Sequence, residues 1–158
     1  MDRIRIAGFI FNGLTNGEGI RNVLFLQGCK HACKGCQNPH THDTTSGFVM
    51  SIEEIVELLR VNNINNKVTI SGGEPFLQKD ALLHLLYELK QLDFNIWVYT
   101  GYKIEELMQD DISKACIDFI DVLVDGKFEI DNMTEQDYIG SANQRIIEVK
   151  EWRKTLKS

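Results

Sequence analysis

The stretch Lys67-Val68-Thr69-Ile70-Ser71-Gly72-Gly73-Glu74-Pro75 decides the fold. Lys67 to Ile70 reads as a short strand that stops at Ser71-Gly72-Gly73, and Pro75 falls near the first position of a helix. Downstream, Leu82, Leu85, Leu86 and Leu89 recur at helical spacing. Asn95 to Thr100 then reads as the next strand. Upstream, Ser51 precedes Glu54 by three residues, the capping-box signature of a helix start. Ile52, Ile55, Val56 and Leu59 give that helix one apolar face, and the asparagine-rich turn Asn62 to Asn66 ends it. Strands alternating with helices of this length predict a parallel sheet with right-handed crossovers.

The pattern extends to both ends of the chain. Ile4 to Phe11 reads as a first strand, followed by a turn-rich stretch from Asn12 to Gly17. Asn22 to Gln27 reads as a second strand running into Gly28 and Cys29, and Cys29 to Gly47 is irregular. Short helices are expected at Ile104 to Met108 and Ile112 to Ile117, with strands at Phe119 to Val124 and Arg145 to Val149. With about five or six mostly parallel strands the sheet cannot close into an eight-stranded barrel. The expected class is therefore α/β, a partial (β/α) barrel with an open side. No linker or low-complexity segment divides residues 1–158, so a single domain is expected. Four breaks, Gly28-Cys29, Ser71-Gly72-Gly73, Thr100-Gly101 and Asp125-Gly126, each fall just after a strand. In parallel α/β folds that carboxyl edge is where ligands bind.

Composition narrows the function classes. The 158 residues carry a formal net charge of −6 without a run of Lys or Arg. Nucleic-acid binding relies on clustered cations, so that class is not expected. Neither a signal peptide nor a membrane span is visible, which predicts a cytoplasmic protein.

Cysteine placement carries the chemistry. Cys29, Cys33 and Cys36 lie within one short segment, whereas Cys116 stands apart and reads as a small buried hydrophobe. A tight cluster in a reducing compartment points to metal ligation or redox chemistry. Three thiolates on one loop suit a cubane cluster with one iron left open, since ordinary [4Fe–4S] carriers use four cysteines. The same thiolates with His31, His40 or His42 would also suit zinc, making a non-catalytic metal-binding module. His31, between two candidate ligands, is placed to tune such a site through a hydrogen bond. Gly72 and Gly73 let the backbone approach a ligand closely, although a plain strand-to-helix turn uses the same residues. Asp125 and Lys127 point to one side of an extended chain, either toward a ligand or as a surface pair.

Together these residues resemble the radical S-adenosylmethionine (SAM) superfamily, whose signature is C-x3-C-x2-C followed by a G-G-E-P-type segment. Further blocks sharpen the resemblance: Gly35-Cys36, Ser71 to Pro75, Trp97 to Lys103, Leu123 to Phe128, and Gly140-Ser141-Ala142-Asn143-Gln144. They are similar to those of the anaerobic ribonucleoside-triphosphate reductase-activating proteins. The resemblance implies a [4Fe–4S] cluster with Cys29, Cys33 and Cys36 each on one iron, and SAM chelating the fourth. It implies that Gly72 and Gly73 meet the methionine moiety through the backbone, with Glu74 in the same cofactor-binding segment. Gly35 and Gln37, on either side of Cys36, would contact the adenine, and Thr100, Asp125 and Lys127 would line the pocket. An electron from a flavodoxin-type donor would split SAM into methionine and a 5′-deoxyadenosyl radical. That radical would take a hydrogen atom from a glycine of the anaerobic (class III) ribonucleotide reductase. Another glycyl radical enzyme, or a small molecule, is the alternative substrate within the same chemistry. The chain departs from the wider patterns at Gly35, where many superfamily members carry an aromatic residue. It departs again at Gln37, where the activating proteins often have Tyr.

Overall fold

The computed structural model describes residues 2–28 and 47–156. Seven strands form one sheet, in the order β3-β1-β2-β4-β5-β6-β7. They are β1 (Arg3–Gly13), β2 (Arg21–Leu26), β3 (Phe48–Ser51), β4 (Lys67–Gly72), β5 (Asn95–Tyr99), β6 (Val122–Asp125) and β7 (Arg145–Glu148). The helices are α1 (Ile52–Val61), α2 (Lys79–Gln91), α3 (Ile104–Leu107), α4 (Asp111–Ile117) and α5 (Val149–Thr155). No described helix is long and apolar enough to cross a membrane.

The centre of the sheet is parallel, as the strand–helix alternation predicts: β2, β4, β5 and β6 pair in register Asn22↔Val68, Val68↔Ile96 and Val98↔Leu123. The flanks differ. β1 pairs antiparallel with both β2 and β3, and β7 pairs antiparallel with β6. The count is seven rather than five or six because β3 adds a four-residue strand of half-exposed and exposed residues at the margin. The sheet stays open, with β3 and β7 at its two edges.

Alternation along the strands separates the two faces of the sheet. Leu24, Leu26, Val68, Ile70, Ile96, Val98 and Leu123 join one buried cluster with Ile55 and Leu59 of α1, Leu82, Leu85 and Leu89 of α2, and Ile117 of α4. The intervening residues Val23, Thr69 and Trp97 fall in register across the other face. Ser51 caps α1 as its spacing predicts: its Oγ accepts from Glu54 N at 3.1 Å, and Glu54 Oε1 accepts from Ser51 N at 3.3 Å.

Several strand boundaries shift by one to three residues. The sixth strand starts at Val122, not Phe119, because Phe119 and Ile120 still donate back to the Cys116 and Ile117 carbonyls. The last strand ends at Glu148, because Val149 begins a short helix that buries Val149 and packs Trp152 against the core.

Candidate active site

Because β2, β4, β5 and β6 run parallel, the four strand exits at Gly28, Gly72, Thr100 and Asp125 share one edge of the sheet. The structure therefore brings Gly72, Gly73, Glu74, Thr100 and Asp125 to that edge. Cys29, Cys33, Cys36, Gly35, Gln37 and His31 lie outside the described residues. Gly28, the residue before Cys29, is described and buried at this edge.

Gly72 has φ +110°, a conformation that side chains other than glycine rarely adopt. A Cβ there would stand 2.3 Å from Leu26 O and 2.4 Å from Leu26 N. The close approach that the sequence suggests is thus made by a neighbouring strand. The next two residues continue the contact: Gly73 N donates to Leu26 O at 3.0 Å and Glu74 N to Gly28 O at 2.7 Å.

Glu74 is 1% exposed. Its carboxylate accepts from Phe76 N at 3.0 Å, from Thr100 Oγ1 at 2.8 Å and from Gly101 N at 2.7 Å. Thr100 Oγ1 in turn accepts from Tyr102 N at 3.1 Å. A buried carboxylate is tolerable when such donors replace its hydration. Here they also tie the turn after β4 to the turn after β5.

Asp125 is fully buried, and it pairs with Arg145 rather than Lys127. Arg145 Nε donates to Asp125 Oδ1 at 2.9 Å, and Ile104 N donates to Asp125 Oδ2 at 2.8 Å. The same guanidinium reaches Glu105 Oε1 at 2.7 Å. These two carboxylates push Arg145 above the ordinary arginine range, Asp125 contributing most. The hydrogen bond from Arg145 holds the Glu105 carboxyl below its usual range. Lys127 is exposed, and its carbonyl accepts from Asn143 Nδ2 at 2.8 Å.

Reading the sequence misses Arg145, although it opens the last strand directly opposite Asp125 in the ladder. It also gives no structural role to Gly140 to Gln144. Gln144 Oε1 accepts from Gly140 N and Ser141 N, and Gln144 Nε2 donates to Gly126 O at 3.0 Å. Buried Ser141 accepts from Glu129 N at 3.1 Å. This block thus stitches down the segment that leaves β6.

Glu74 N holds Gly28 at this edge, and three thiols follow it in the sequence, at Cys29, Cys33 and Cys36. That set fits an iron–sulfur cluster, because thiolates are the ligands such clusters take.

Comparison with known proteins agrees. Residues 15–147 match the family model described as a 4Fe-4S single cluster domain, an iron–sulfur assignment rather than a zinc one. The anaerobic ribonucleoside-triphosphate reductase-activating protein of Haemophilus influenzae is 38% identical, over 84% of this chain and 90% of its own length. The protein of that name from Enterobacteria phage T4 is 34% identical, over 92% of this chain and 91% of its own. The Escherichia coli K12 protein of that name is 34% identical, over 84% and 91%.

Proposed function

Because the chain belongs to the family of anaerobic ribonucleoside-triphosphate reductase-activating proteins, we propose that it generates the glycyl radical of the class III ribonucleotide reductase. The observation that carries this is the match to those relatives along 84–92% of the chain. Cys29, Cys33 and Cys36 would hold a [4Fe–4S] cluster and leave it an open position for SAM. When bound, cluster and SAM supply one-electron reductive cleavage of the sulfonium and hydrogen-atom abstraction from a glycine of the reductase. A flavodoxin-type protein is the electron donor, and the reaction takes place in the cytoplasm.

The chain's own residues supply position. Gly73 and Glu74 fasten the β4 exit to Leu26 and Gly28, at the root of the cysteine segment. Glu74 and Thr100 lock the next exit to the first. Arg145 neutralises the buried Asp125 and fixes β7 beside β6. On this reading Gly72 and Gly73 would meet the methionine moiety and Gly35 and Gln37 the adenine through main-chain atoms, and Lys127 would line the pocket.

Anaerobic electron paramagnetic resonance tests the reading. The reconstituted, reduced protein should show a [4Fe–4S] signal that changes when SAM is added, and should then create a glycyl radical on the reductase. Alanine at Cys29, Cys33 or Cys36 should abolish both. Cys116→Ala should leave them intact, because that thiol is buried and burial pushes it up to about 12. Stoichiometric zinc with no iron–sulfur absorbance would overturn the assignment.

A further inference from the structure

The residue before α2 occupies its N-cap position, yet Gln78 makes no capping hydrogen bond. Its amide reaches 73 residues back along the chain to β1. Gln78 Oε1 accepts from Arg5 N at 2.8 Å, and Gln78 Nε2 donates to Arg5 O at 2.8 Å. The same Nε2 donates to Gln27 O at 3.3 Å. Donating to and accepting from a single residue is what a strand partner does in a hydrogen-bonded antiparallel pair.

The position of this substitute partner matters. The ladder between β1 and β2 runs to Ile6↔Leu26, Gln27 N adds one more bond to Arg5 O at 3.1 Å, and the Gln78 amide stands where Gln27 O would take up Arg5 N. Three successive carbonyls before the cysteine segment are held by the segment after β4. Leu26 O accepts from Gly73 N, Gln27 O from Gln78 Nε2, and Gly28 O from Glu74 N. Two of these donors are backbone groups that any residue would supply. Only the middle one comes from a side chain, and Cys29 follows immediately.

We propose that Gln78 is a positioning residue for the cluster: it sets the root from which Cys29, Cys33 and Cys36 reach the iron. The proposal rests on the activating-protein reading of those cysteines. Metal sites depend on outer groups that orient their ligands, and losing one typically costs about 10–100-fold in metal affinity or activity. A leucine at 78 would keep the bulk and remove both donor and acceptor. A glutamate would keep the acceptor for Arg5 N and set a charged oxygen against two carbonyls.

The test compares anaerobically reconstituted wild type, Gln78→Leu, Gln78→Glu and a control, Leu86→Ala. Leu86 is buried in the α2 core and has no part in the grip. Two readouts apply: the rate of iron release to a ferrous chelator, and the resonance spectrum of the reduced cluster with and without SAM. Gln78→Leu should release iron about 10–100-fold faster and give an altered spectrum with SAM. Gln78→Glu, which sets a carboxylate oxygen against the Arg5 and Gln27 carbonyls, should also release iron faster than wild type. Leu86→Ala should lower the thermal midpoint while keeping wild-type release and spectrum. If Gln78→Leu does not fold, Gln78→Glu against Leu86→Ala decides. Wild-type iron retention in the Gln78 variants would overturn the proposal, as would equally fast release from Leu86→Ala. A wild type that takes up no [4Fe–4S] cluster would instead overturn the functional reading, and the proposal with it.

Discussion

Replacing Gly72 with alanine puts a methyl carbon 2.3 Å from Leu26 O and 2.4 Å from Leu26 N, on a backbone at φ +110°. Holding a residue with a side chain in such a conformation costs about 1–3 kcal/mol. The contact cannot relax by a side-chain movement, because the obstructing atoms are main chain. β4 must back away from β2 there, and the adjoining Gly73 N to Leu26 O bond of 3.0 Å is strained or lost. That adds about 1 kcal/mol. The sum, about 2–4 kcal/mol, corresponds to a fall of about 4–16 °C in the thermal midpoint of a chain this size. The assay is thermal unfolding of the cluster-free protein, with Gly8→Ala as the control. A Cβ at Gly8 meets nothing within 4 Å, so that variant should unfold within about 2 °C of wild type. The experiment separates two reasons for a glycine at 72. An alanine variant as stable as wild type would refute the strand-contact argument and leave ligand approach as the reason.

Arg145→Met leaves the Asp125 carboxylate, 1% exposed, without its cation. Breaking a buried pair costs about 3–5 kcal/mol, and the lower end applies because Arg145 itself is 44% exposed. Glu105→Ala removes only the outer partner and should cost less than about 1 kcal/mol. Urea unfolding of both variants checks this, and equal losses would contradict it. Asp110 caps α4 and bonds Lys79 Nζ at 2.9 Å. The Lys79 ammonium, with help from Ser113 N, holds the Asp110 carboxyl at about 2 against the ordinary 3.8. A depressed carboxylate contributes stability above the unfolded value that is lost as pH falls from 3.8 through about 2. Acid titration of stability should therefore be steeper for wild type than for Asp110→Asn in that window, and the difference should shrink in high salt.

The parts that were legible in the sequence are those with a local signature. The Ser51–Glu54 capping box predicts the start of α1, and alternating strands and helices predict the parallel centre. The glycine breaks after strands mark the edge that carries Gly72 to Glu74 and Thr100. What stayed hidden lacks local pattern. β3 is four residues at an edge, so it shows little of the alternation that burial of one face imposes. α5 is seven residues long and turns only Val149 and Trp152 to the core, a stripe too short to separate from the strand before it. Gln78 and Arg145 act across 73 and 20 residues of chain, through pairings that exist only once the sheet has formed. The two carboxylates illustrate the limit. Glu74 and Asp125 are placed at the right edge by sequence, but only the structure shows their oxygens facing protein donors.

At the opposite end of the strands, Arg21 is 1% exposed. Its guanidinium lies 5.4 Å from the centre of the Trp97 ring. It donates to Thr69 Oγ1, Glu18 O, Val68 O, Asn95 O and Asn95 Oδ1, at 2.6–3.0 Å. Burial lowers this cation to about 10, so it keeps its charge at neutral pH. The consequence concerns mistakes in folding. Sliding β2 by one residue would turn every side chain on it to the other side of the sheet, and would carry this charge away from its oxygen partners to the face that holds the hydrophobic core. Several kcal/mol would be lost for want of those five oxygens. A methionine of similar length would suffer no such penalty. The five oxygens around Arg21 therefore favour the observed alignment of β2 over one shifted by a residue.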